Sequence, residues 1–476
     1  MTEGESQPVS RRFWKMRRLL LRTLPLVALP LVALRPASLQ AQPCQGAIPA
    51  MTAAICAVQK NPELRAARLQ LQALAQGRKS AGRILPSHPQ LSLSLAERRP
   101  LSSSGAMTDA TPVLNWYLTL SQEIEIAGQR GRRLATIDAE TAAQLRRVAV
   151  IEQETAAVAL RAFAEALAAR EERTLAERAA EVAAALSRYT EARAAQELVP
   201  SIEADLARAE AARLHLLRSE AEQRQHSAEA VLRLWLLPAD NLAAALTSTL
   251  TPAGRLEDIL PNDAADAAKA ADVAARVQQA LQLRADLDMA RHEVHVKQAQ
   301  ADLLRRSRIP NLALSFTAQN DGFGERVLGG GLSLPLPLPE PIGPSRGGEV
   351  AAATVAIEQA RTDVERRSRQ VAQEVQLALA AVQAAQRALA GVPSDLIARA
   401  QTDLWAIAEA IRGGRVSLRE ALLWQRGLLD LLQLHLRARR DHALARIELQ
   451  RASGLPLVSV SEAAGQNPTP AAEEPR

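Results

Sequence analysis

Residues 413–436 read GGRVSLREALLWQRGLLDLLQLHL, and their two glycines interrupt a long alanine-rich helical pattern just before a second helical pattern begins. Residues 189–238 align with residues 406–455 without a gap, so the chain carries this kind of stretch a second time, as ELVPSIEADLARAEAARLHLLR. Matching residues include Val199 and Val416, Glu203 and Glu420, and Leu206 and Leu423. Two long helices joined by a tight reversal are therefore predicted twice in one chain.

Segments upstream of the two reversals also match, and they follow the same order in both halves. The matching pairs are NPELRAAR (61–68) with RADLDMAR (284–291), LPSHPQLSLSL (85–95) with IPNLALSF (309–316), and GQRGRRLATIDAE (128–140) with PSRGGEVAAATVA (344–356). A fixed order of matching segments is the sequence signature of a tandem duplication.

Each repeat changes from a helical pattern to a strand pattern. A lead-in helix of about 25 residues has apolar residues three or four positions apart, and a proline then ends it. Strict alternation follows, with these apolar positions: Leu91, Leu93, Leu95, Leu114, Trp116, Leu118 and Leu120 in the first repeat, and Leu312, Leu314, Phe316, Leu328, Leu332, Leu334 and Leu336 in the second. Four amphipathic strands of about ten residues are predicted, which is long enough to cross a bilayer when tilted.

Four aromatic residues lie in or beside these strands: Trp116, Tyr117, Phe316 and Phe323. Aromatic side chains in such places suit the interfacial belt of a membrane protein. An ordinary antiparallel sheet with one wet face would show the same alternation. The periodicity by itself favours neither reading.

The helical runs that follow the strands are too long for a globule. Residues 132–196 and 348–412 each span roughly 100 Å at 1.5 Å per residue, and the return helices cover about 200–237 and 417–454. Gly391-Val392-Pro393 predicts a break in the second run, with Ser394 as a cap for the helix that follows. Long alanine-rich helices need lateral neighbours, and four strands are too few to close a barrel. Both deficits point to an oligomer, and three chains would supply twelve strands.

The first 41 residues have the pattern of a secretory signal, whether translation starts at Met1 or at Met16. The basic stretch RRFWKMRR precedes the apolar run LPLVALPLVAL, and a cleavage point follows Ala41. Seven Lys or Arg and two Glu give these residues +5 of the formal net charge of +6. The remaining chain is nearly neutral, so its charge does not indicate a nucleic-acid partner.

Cys44 and Cys56 are the two cysteines of the chain, and both follow the leader closely. In an oxidising compartment they would pair and fix the N-terminal segment. The alternative is that Cys44 becomes a lipidated first residue after processing. The sequence leaves both open.

The order and spacing of NPEL, RGRR, RGGE and the two reversals resemble the TolC family of outer-membrane efflux ducts, over roughly residues 50–456. The resemblance implies an α+β membrane protein that forms a homotrimer. Its four strands per chain would build a twelve-stranded β-barrel in the outer-membrane lipid of a Gram-negative bacterium. That barrel would continue into a long α-helical barrel in the periplasm, where it meets a periplasmic adaptor (membrane fusion) protein and an inner-membrane pump, here of the RND type.

With this resemblance, we expect the following domains: a signal peptide over 1–41, an N-terminal periplasmic segment over 42–59, a first helix–hairpin–helix repeat over 60–238, an inter-repeat or equatorial segment over 239–279, a second repeat over 280–456 and a disordered tail over 457–476.

Carried over from the family by position, the two reversals are the periplasmic tips that contact the adaptor. The candidate contact residues are Leu198, Val199 and Pro200 at the first tip and Gly414, Val416 and Ser417 at the second. Glu197 stands where the family usually has glycine, which makes the first tip a weaker match. Glu420 matches one of the acidic residues that narrow the mouth of the family's channels, and Leu423 replaces another. The ordinary alternatives are that these residues only make turns, and that Glu420 is a solvated helix charge.

The predicted function is a passive trimeric duct that carries substrates from the adaptor and pump to the exterior. The sequence offers no persuasive catalytic, cofactor or metal site, and HEVH (292–295) lacks the frame of a zinc motif. The proline-rich SLPLPLPEPIG (333–343) resembles outer-membrane components of heavy-metal efflux systems, so metal cations are a candidate substrate. The alternatives are a type I secretion duct, and a secreted coiled-coil scaffold or periplasmic adaptor without a pore.

Overall fold

The computed structural model describes residues 44, 46–98, 113–236, 250–260, 273–320, 325–336, 338, 342–343, 345–413 and 415–457. The predicted leader, the tail after Leu457, Phe323 and Gly414 lie outside these described residues. Within the described residues, no helix combines the length and the apolar character that a membrane crossing needs.

Helices make up most of the described chain. They are α1 (Ala50–Lys60) in the N-terminal segment, then α2 (Pro62–Ala81), α3 (Gln129–Ala194) and α4 (Ser201–Leu236) in the first repeat. In the second they are α5 (Val273–Leu283), α6 (Ala285–Ser307), α7 (Gly347–Ala390), α8 (Ser394–Arg412) and α9 (Leu418–Ala452). The 66 residues of α3 span about 100 Å, as the unbroken pattern predicts.

The predicted lead-in helices of about 25 residues are α2 and α6, which have 20 and 23 residues, and a shorter helix precedes each of them. Asn61 separates α1 from α2, and its side chain accepts hydrogen bonds from the backbone N–H groups of Glu63 and Leu64. Pro62 occupies the first helical position, where its missing N–H costs nothing. Arg284 separates α5 from α6 at the matching place in the second repeat.

The predicted break at Gly391-Val392-Pro393 is confirmed, since α7 ends at Ala390 and α8 begins at Ser394. The role expected for Ser394 is wrong. Pro393 is the cap residue, in an extended conformation, and makes no side-chain hydrogen bond to the helix. Proline fixes φ near the helical value but has no side-chain acceptor, so α8 restarts without a polar cap.

The strands form two separate sheets. Two short strands, β1 (Ala47–Ile48) and β4 (Thr251–Pro252), pair in parallel. Four antiparallel strands follow the order β2-β3-β5-β6, with β2 at Gln90–Arg98, β3 at Val113–Ile124, β5 at Leu312–Asn320 and β6 at Arg326–Ser333. Leu334 and Leu336, which were expected to continue the last strand, lie beyond its end. Proline alternates with them and cannot donate to a strand ladder.

The largest core surrounds the β1–β4 ladder. Its buried side chains come from both repeats and from the inter-repeat segment, and include Ile48, Leu160, Phe163, Leu232, Leu256 and Ile447. Cys44 is joined to Cys56 by a disulfide beside this core, so its sulfur is not free to carry a lipid. A second cluster near the reversals contains Leu186 and Ala207 from the first repeat, with Leu404, Ile407 and Leu418 from the second. The two repeats therefore pack against each other near the reversals.

Candidate functional site

The four-stranded sheet has one apolar face and one polar face. On the apolar face, Leu93 pairs with Leu118, Leu118 with Ala318, and Ala318 with Leu328. On the polar face, the corresponding cross-strand row is Ser92, Thr119, Thr317 and Gly329. Because side chains alternate along each strand, the register brings all four apolar sets to the same side. The predicted alternation is thus confirmed as a two-faced sheet.

The apolar face of this sheet is uncovered. Leu93 is 62% exposed, Leu328 70% and Leu332 74%. A contiguous exposed apolar surface marks a site of contact with another protein or with lipid. The outer edges of β2 and β6 also lack a strand neighbour among the described residues. The sheet therefore presents both a face and two edges that require a partner.

Glycines on the polar face let β5 and β6 approach closely. A Cβ at Gly331 would lie 2.6 Å from Ser315 Oγ, and one at Gly329 would lie 3.0 Å from Thr317 Oγ1. The same two hydroxyls donate to the carbonyl oxygens of Gly331 and Gly329, both at 3.3 Å. The glycine run thus serves close packing between strands.

The three aromatics of the four-stranded sheet lie at different places on it. Trp116 and Phe316 belong to the apolar face, but Trp116 pairs with Asn320 while Phe316 pairs with Leu120. They therefore lie four residue pairs apart along β5, or about 13 Å. Tyr117 pairs with Gln319 and lies on the polar face. Because neighbouring strand residues point to opposite faces, Tyr117 lies opposite Trp116 and Phe316, and the interfacial girdle stays a prediction.

The two reversals use the same backbone hydrogen bond. At the first, Leu198 N–H donates to Arg193 O at 2.9 Å, and at the second, Arg415 N–H donates to Ala410 O at 3.0 Å. Both atoms of the second bond come from residues 217 positions after those of the first. A bond of this kind closes a helix C-terminus on the last turn, which satisfies carbonyl groups that the helix leaves unpaired. The gap-free alignment thus corresponds to a repeated backbone conformation.

The candidate contact residues at the first tip directly follow a residue with a strained backbone. Glu197 has a φ of 59°, in the left-handed region that favours glycine. Leu198, next to it, is 59% exposed. Pro200 is exposed and Val199 is half-buried. The structure thus places the three predicted residues together on the turn between α3 and α4.

At the second tip, Ser417 caps α9. Its hydroxyl accepts from Glu420 N–H at 3.4 Å, and the Glu420 carboxylate accepts from Ser417 N–H at 3.1 Å. This reciprocal pair is a capping box. The Ser417 hydroxyl also donates to the Glu420 carboxylate at 2.8 Å, and these bonds hold the pKa of Glu420 below its ordinary value. Val416 is half-buried beside them. Glu420, the expected aperture residue, is thus exposed and ionised but held against the start of α9.

A match to a known family covers the second repeat. Residues 276–455 match the family model described as outer membrane efflux protein. No curated protein matches the sequence.

Three solved structures share the fold over most of the chain. A membrane protein from Pseudomonas aeruginosa has a TM-score of 0.67 and 17% identity, and the match covers 85% of this chain and 90% of that one. The outer membrane protein VceC from Vibrio cholerae has 0.64 and 18%, covering 85% and 96%. CusC, whose structures concern transmembrane channel formation, has 0.64 and 16%, covering 86% and 92%.

The family match and the shared fold agree, because the first repeat duplicates the segment that the family model matches. The second repeat is thus similar to the outer membrane efflux protein family, and the described chain shares the fold of the three solved structures. It has the α+β fold of these channels, in which long helices adjoin a four-stranded antiparallel sheet.

A buried carboxylate links the two hairpins, and the sequence reading missed it. Glu210 of α4 is 2% exposed. Arg213 of the same helix lies 2.6 Å from its carboxylate, and Arg426 of α9 lies 2.7 Å away. Burial raises the pKa of Glu210, but the hydrogen bonds from the two arginines outweigh it and leave the pKa lowered. The sequence held one signal for this residue. Glu210 lies three residues after Ala207 and four before Leu214, and this helical spacing places its charge on the buried face of α4.

An ion-pair network surrounds the joint between α5 and α6, and it too was missed. Arg284 is buried and pairs with Asp286 at 2.7 Å and with Glu374 of α7. Glu374 also accepts from Arg451 of α9 at 3.2 Å. Burial lowers the pKa of Arg284, but its carboxylate partners outweigh this and raise it. The network therefore joins α6, α7 and α9 through charged groups that are still ionised.

Across the described ranges, no three His, Cys, Asp or Glu side chains lie close enough together to hold a metal ion. The rings of His292 and His295 in the HEVH stretch form a T-shaped pair, with centroids 6.2 Å apart. The Asp288 carboxylate lies 3.5 Å from His292 Nδ1. This stretch therefore behaves as part of a helix surface.

Proposed function

We propose that three copies of this chain assemble into a passive duct, with twelve strands in the outer membrane and a ring of long helices in the periplasm. The observation that carries this proposal is the four-stranded sheet, whose apolar face is exposed and whose β2 and β6 edges are open. If β6 of one copy pairs with β2 of the next, three sheets close without an unpaired edge. The polar face then lines the channel and the apolar face meets lipid.

At the periplasmic end, the two reversals form six tips per trimer, and the adaptor binds there. Leu198, Val199 and Pro200 would supply the first contact, and Gly414, Val416 and Ser417 the second. Exposed Leu198 and the groove of about 610 Å³ beside Val416 and Trp424 support an apolar docking surface. The partner pump, of the RND type, supplies the energy. Replacing Leu198 or Val416 by Asp should weaken co-purification with the adaptor while leaving the trimer intact.

We also assign Glu420 to an acidic ring that narrows the mouth. Three carboxylates near a threefold axis attract cations and repel anions. The Glu420→Ala channel should therefore show lower cation selectivity in planar bilayers. Glu203→Ala, at the matching position of the first repeat, serves as the control. Equal selectivity in wild type and Glu420→Ala would remove the residue from the aperture.

The substrate class we propose is metal cations, on the resemblance of SLPLPLPEPIG to heavy-metal efflux components. A strain that lacks this chain should become sensitive to transition metals and keep its tolerance of drugs. Drug sensitivity with normal metal tolerance would reverse the assignment.

The trimer itself is tested by the mass of the protein extracted from purified outer membranes in mild detergent, after correction for bound detergent. We expect about three mature chains. A monomer recovered with the soluble periplasm would defeat the duct, because four strands cannot enclose a pore.

A further inference from the structure

We propose that a second copy of this chain lays its α4 along the open flank of α7, in the register in which α9 lies along α3 within one chain. The proposal rests on the trimer of the proposed function and specifies which side chains meet between subunits. It follows from the internal duplication, since a face that is covered in the first repeat is uncovered in the second.

The register between repeats can be read from the structure. One groove is lined by four residues of α3 and by four of α7 that follow them at a constant interval of 216 positions: Glu140, Ala143, Gln144 and Arg147, then Ala356, Gln359, Ala360 and Asp363. For α4 and α9 the interval is 217, as at the two reversals. Leu232 and Leu449, which match at that interval, are both buried. The helices therefore keep the same rotational setting in both repeats.

Within the chain, α9 covers one flank of α3. Leu160 and Ala164 of α3 are completely buried in the same cluster as Ile447 of α9. The α7 residues 216 positions later are Gln376 and Ala380, and both are exposed. The flank that α9 covers on α3 thus has an open counterpart on α7. The helix that corresponds to α9 is α4, so the matching partner is the α4 of another copy.

Two ion pairs fix how α9 lies along α3. Arg161 Nη1 lies 3.2 Å from a Glu448 carboxylate oxygen, and Arg439 Nη1 lies 2.6 Å from one of Glu171. The pairs run in opposite chain directions, as expected for antiparallel helices. Each pair has a counterpart that one subunit contributes from α7 and the next from α4.

The counterpart of Arg161 and Glu448 is an apolar pair. Residue 377 on α7 is leucine, 63% exposed, and residue 231 on α4 is valine, 48% exposed. Within one chain these two side chains are large apolar groups left in water. Between copies each would cover the other, which favours association by removing apolar surface from solvent.

The counterpart of Glu171 and Arg439 is an ion pair with its signs exchanged. Residue 387 on α7 is arginine, and residue 222 on α4 is glutamate. Arg387 is exposed and has no ion-pair partner within the residues that the structure describes. Glu222 is 2.8 Å from Arg218 one turn earlier, on the surface of α4. The pair Arg387 and Glu222 keeps the charge complementarity of Glu171 and Arg439, with the acidic and basic residues exchanged between the helices. This complementarity indicates a second copy of the chain as the partner.

These two contacts define one alignment of the helices. They lie ten residues apart on α7 and nine apart on α4, which is about 15 Å along each axis. A shift of one helical turn would separate both pairs. The arrangement therefore predicts Leu377 against Val231 and Arg387 against Glu222 at every subunit boundary.

Paired cysteines test the alignment in the full-length protein in outer membranes. The L377C/V231C double variant should give a covalently closed trimer on mild oxidation, visible on a non-reducing gel and lost on reduction. Each single variant should stay monomeric on that gel. V355C/V231C is the matched control, because Val355 is also an exposed apolar residue of α7, 57% exposed, but lies 22 positions away.

The outcomes separate this proposal from the duct. A native mass of three chains without the L377C/V231C crosslink would overturn the alignment and leave the trimer standing. Loss of the trimeric mass in wild type would overturn both. A crosslink from V231C to V355C in place of L377C would show another register, and capture of the adaptor by V231C would assign this face to the adaptor.

Exchanging the charges provides a second measurement that does not depend on disulfide geometry. R387E and E222R should each lower the fraction of protein that stays trimeric when detergent concentration is raised, by about threefold, since each brings like charges together. The R387E/E222R double variant should recover most of that loss. Additive losses in the double variant would show that the residues do not meet.

Discussion

The two reversals have the same backbone hydrogen bond but different side-chain chemistry. At the first, Glu197 takes the left-handed conformation and Pro200 precedes α4. At the second, Ser417 and Glu420 form a capping box at the start of α9. Backbone geometry has therefore been kept through the duplication, while the residues that stabilise it have diverged. The second tip has the chemistry expected of a well-capped helix start, and the first tolerates strain.

The joints in the lead-in helices diverge in the same way. Asn61 caps α2 with its own amide oxygen, and its Nδ2 donates to Thr155 Oγ1 at 2.6 Å. Arg284 occupies the matching joint and is held by Asp286 and Glu374. One joint is stabilised by a local cap and the other by charges from several helices. The second therefore depends more on the rest of the chain.

The largest effect is expected from Glu374→Ala. Removing this carboxylate leaves buried Arg284 with Asp286 alone and takes one acceptor from Arg451, so we expect a loss of about 2 kcal/mol in the free energy of unfolding. Chemical denaturation of the protein in mild detergent measures it. Glu358→Ala, on the same helix but in an exposed ion pair, should change stability by less than about 0.5 kcal/mol. Equal losses of stability from the two substitutions would show that the ion pairs at the joint contribute no more than an exposed ion pair.

A second prediction concerns pH and the link between the hairpins. The folded-state pKa of Glu210 lies below its ordinary value of 4.5. Its contribution to stability is therefore complete above pH 4.5 and is lost as the pH falls through the lower folded-state value. Glu210→Gln should destabilise the protein at neutral pH by about 1–2 kcal/mol and little at low pH. A constant difference between wild type and variant across the acid range would contradict this linkage.

The third prediction exchanges the capping chemistry of the two tips. Ser417→Ala should cost about 1 kcal/mol, because it removes an N-cap oxygen. Pro200→Ser would place a hydroxyl three residues before Glu203, recreating the box at the first tip, and should recover a similar amount. Denaturation midpoints of the single variants and of the double variant check both. If Pro200→Ser destabilises the protein, rigidity at that turn matters more than a cap.

The smallest effect is expected at Glu197. Glycine adopts a φ of 59° without steric cost. This gain is partly offset, because glycine has more conformational entropy to lose when the chain folds. Glu197→Gly should therefore stabilise the protein by less than about 1 kcal/mol. Ala195→Gly, two residues earlier at a negative φ, should instead destabilise it. A loss of stability from both substitutions would indicate that Glu197 is unstrained.

The sequence was sufficient for the parts of the fold that rest on periodicity and repetition. Alternation located the four strands, and the gap-free alignment located both reversals. The division at Asn61 was open to prediction, because Asn followed by Pro is a common start of a helix. The division at Arg284 was not, since arginine has no local capping role there.

Long-range charge contacts escaped the sequence reading for a different reason. Arginine and glutamate occur along every helix, so nothing local distinguishes Glu210 or Arg284 from solvated charges. Their importance comes from burial, which depends on how distant helices are set against each other. Tyr117 is a different case, because strand alternation in the sequence is enough to place it on the face opposite Trp116.

The break at Gly391-Val392-Pro393 also accommodates one extra residue that the second repeat has between the start of its long helix and its reversal. Equivalent positions are 216 apart before it and 217 apart after it. In an unbroken helix, one inserted residue would turn everything downstream by about 100° and point the inner face of α8 toward water. The interruption absorbs that rotation, so the insertion changes the path of the chain for one turn only. The uninterrupted α3 of the first repeat keeps one helical frame from Gln129 to Ala194.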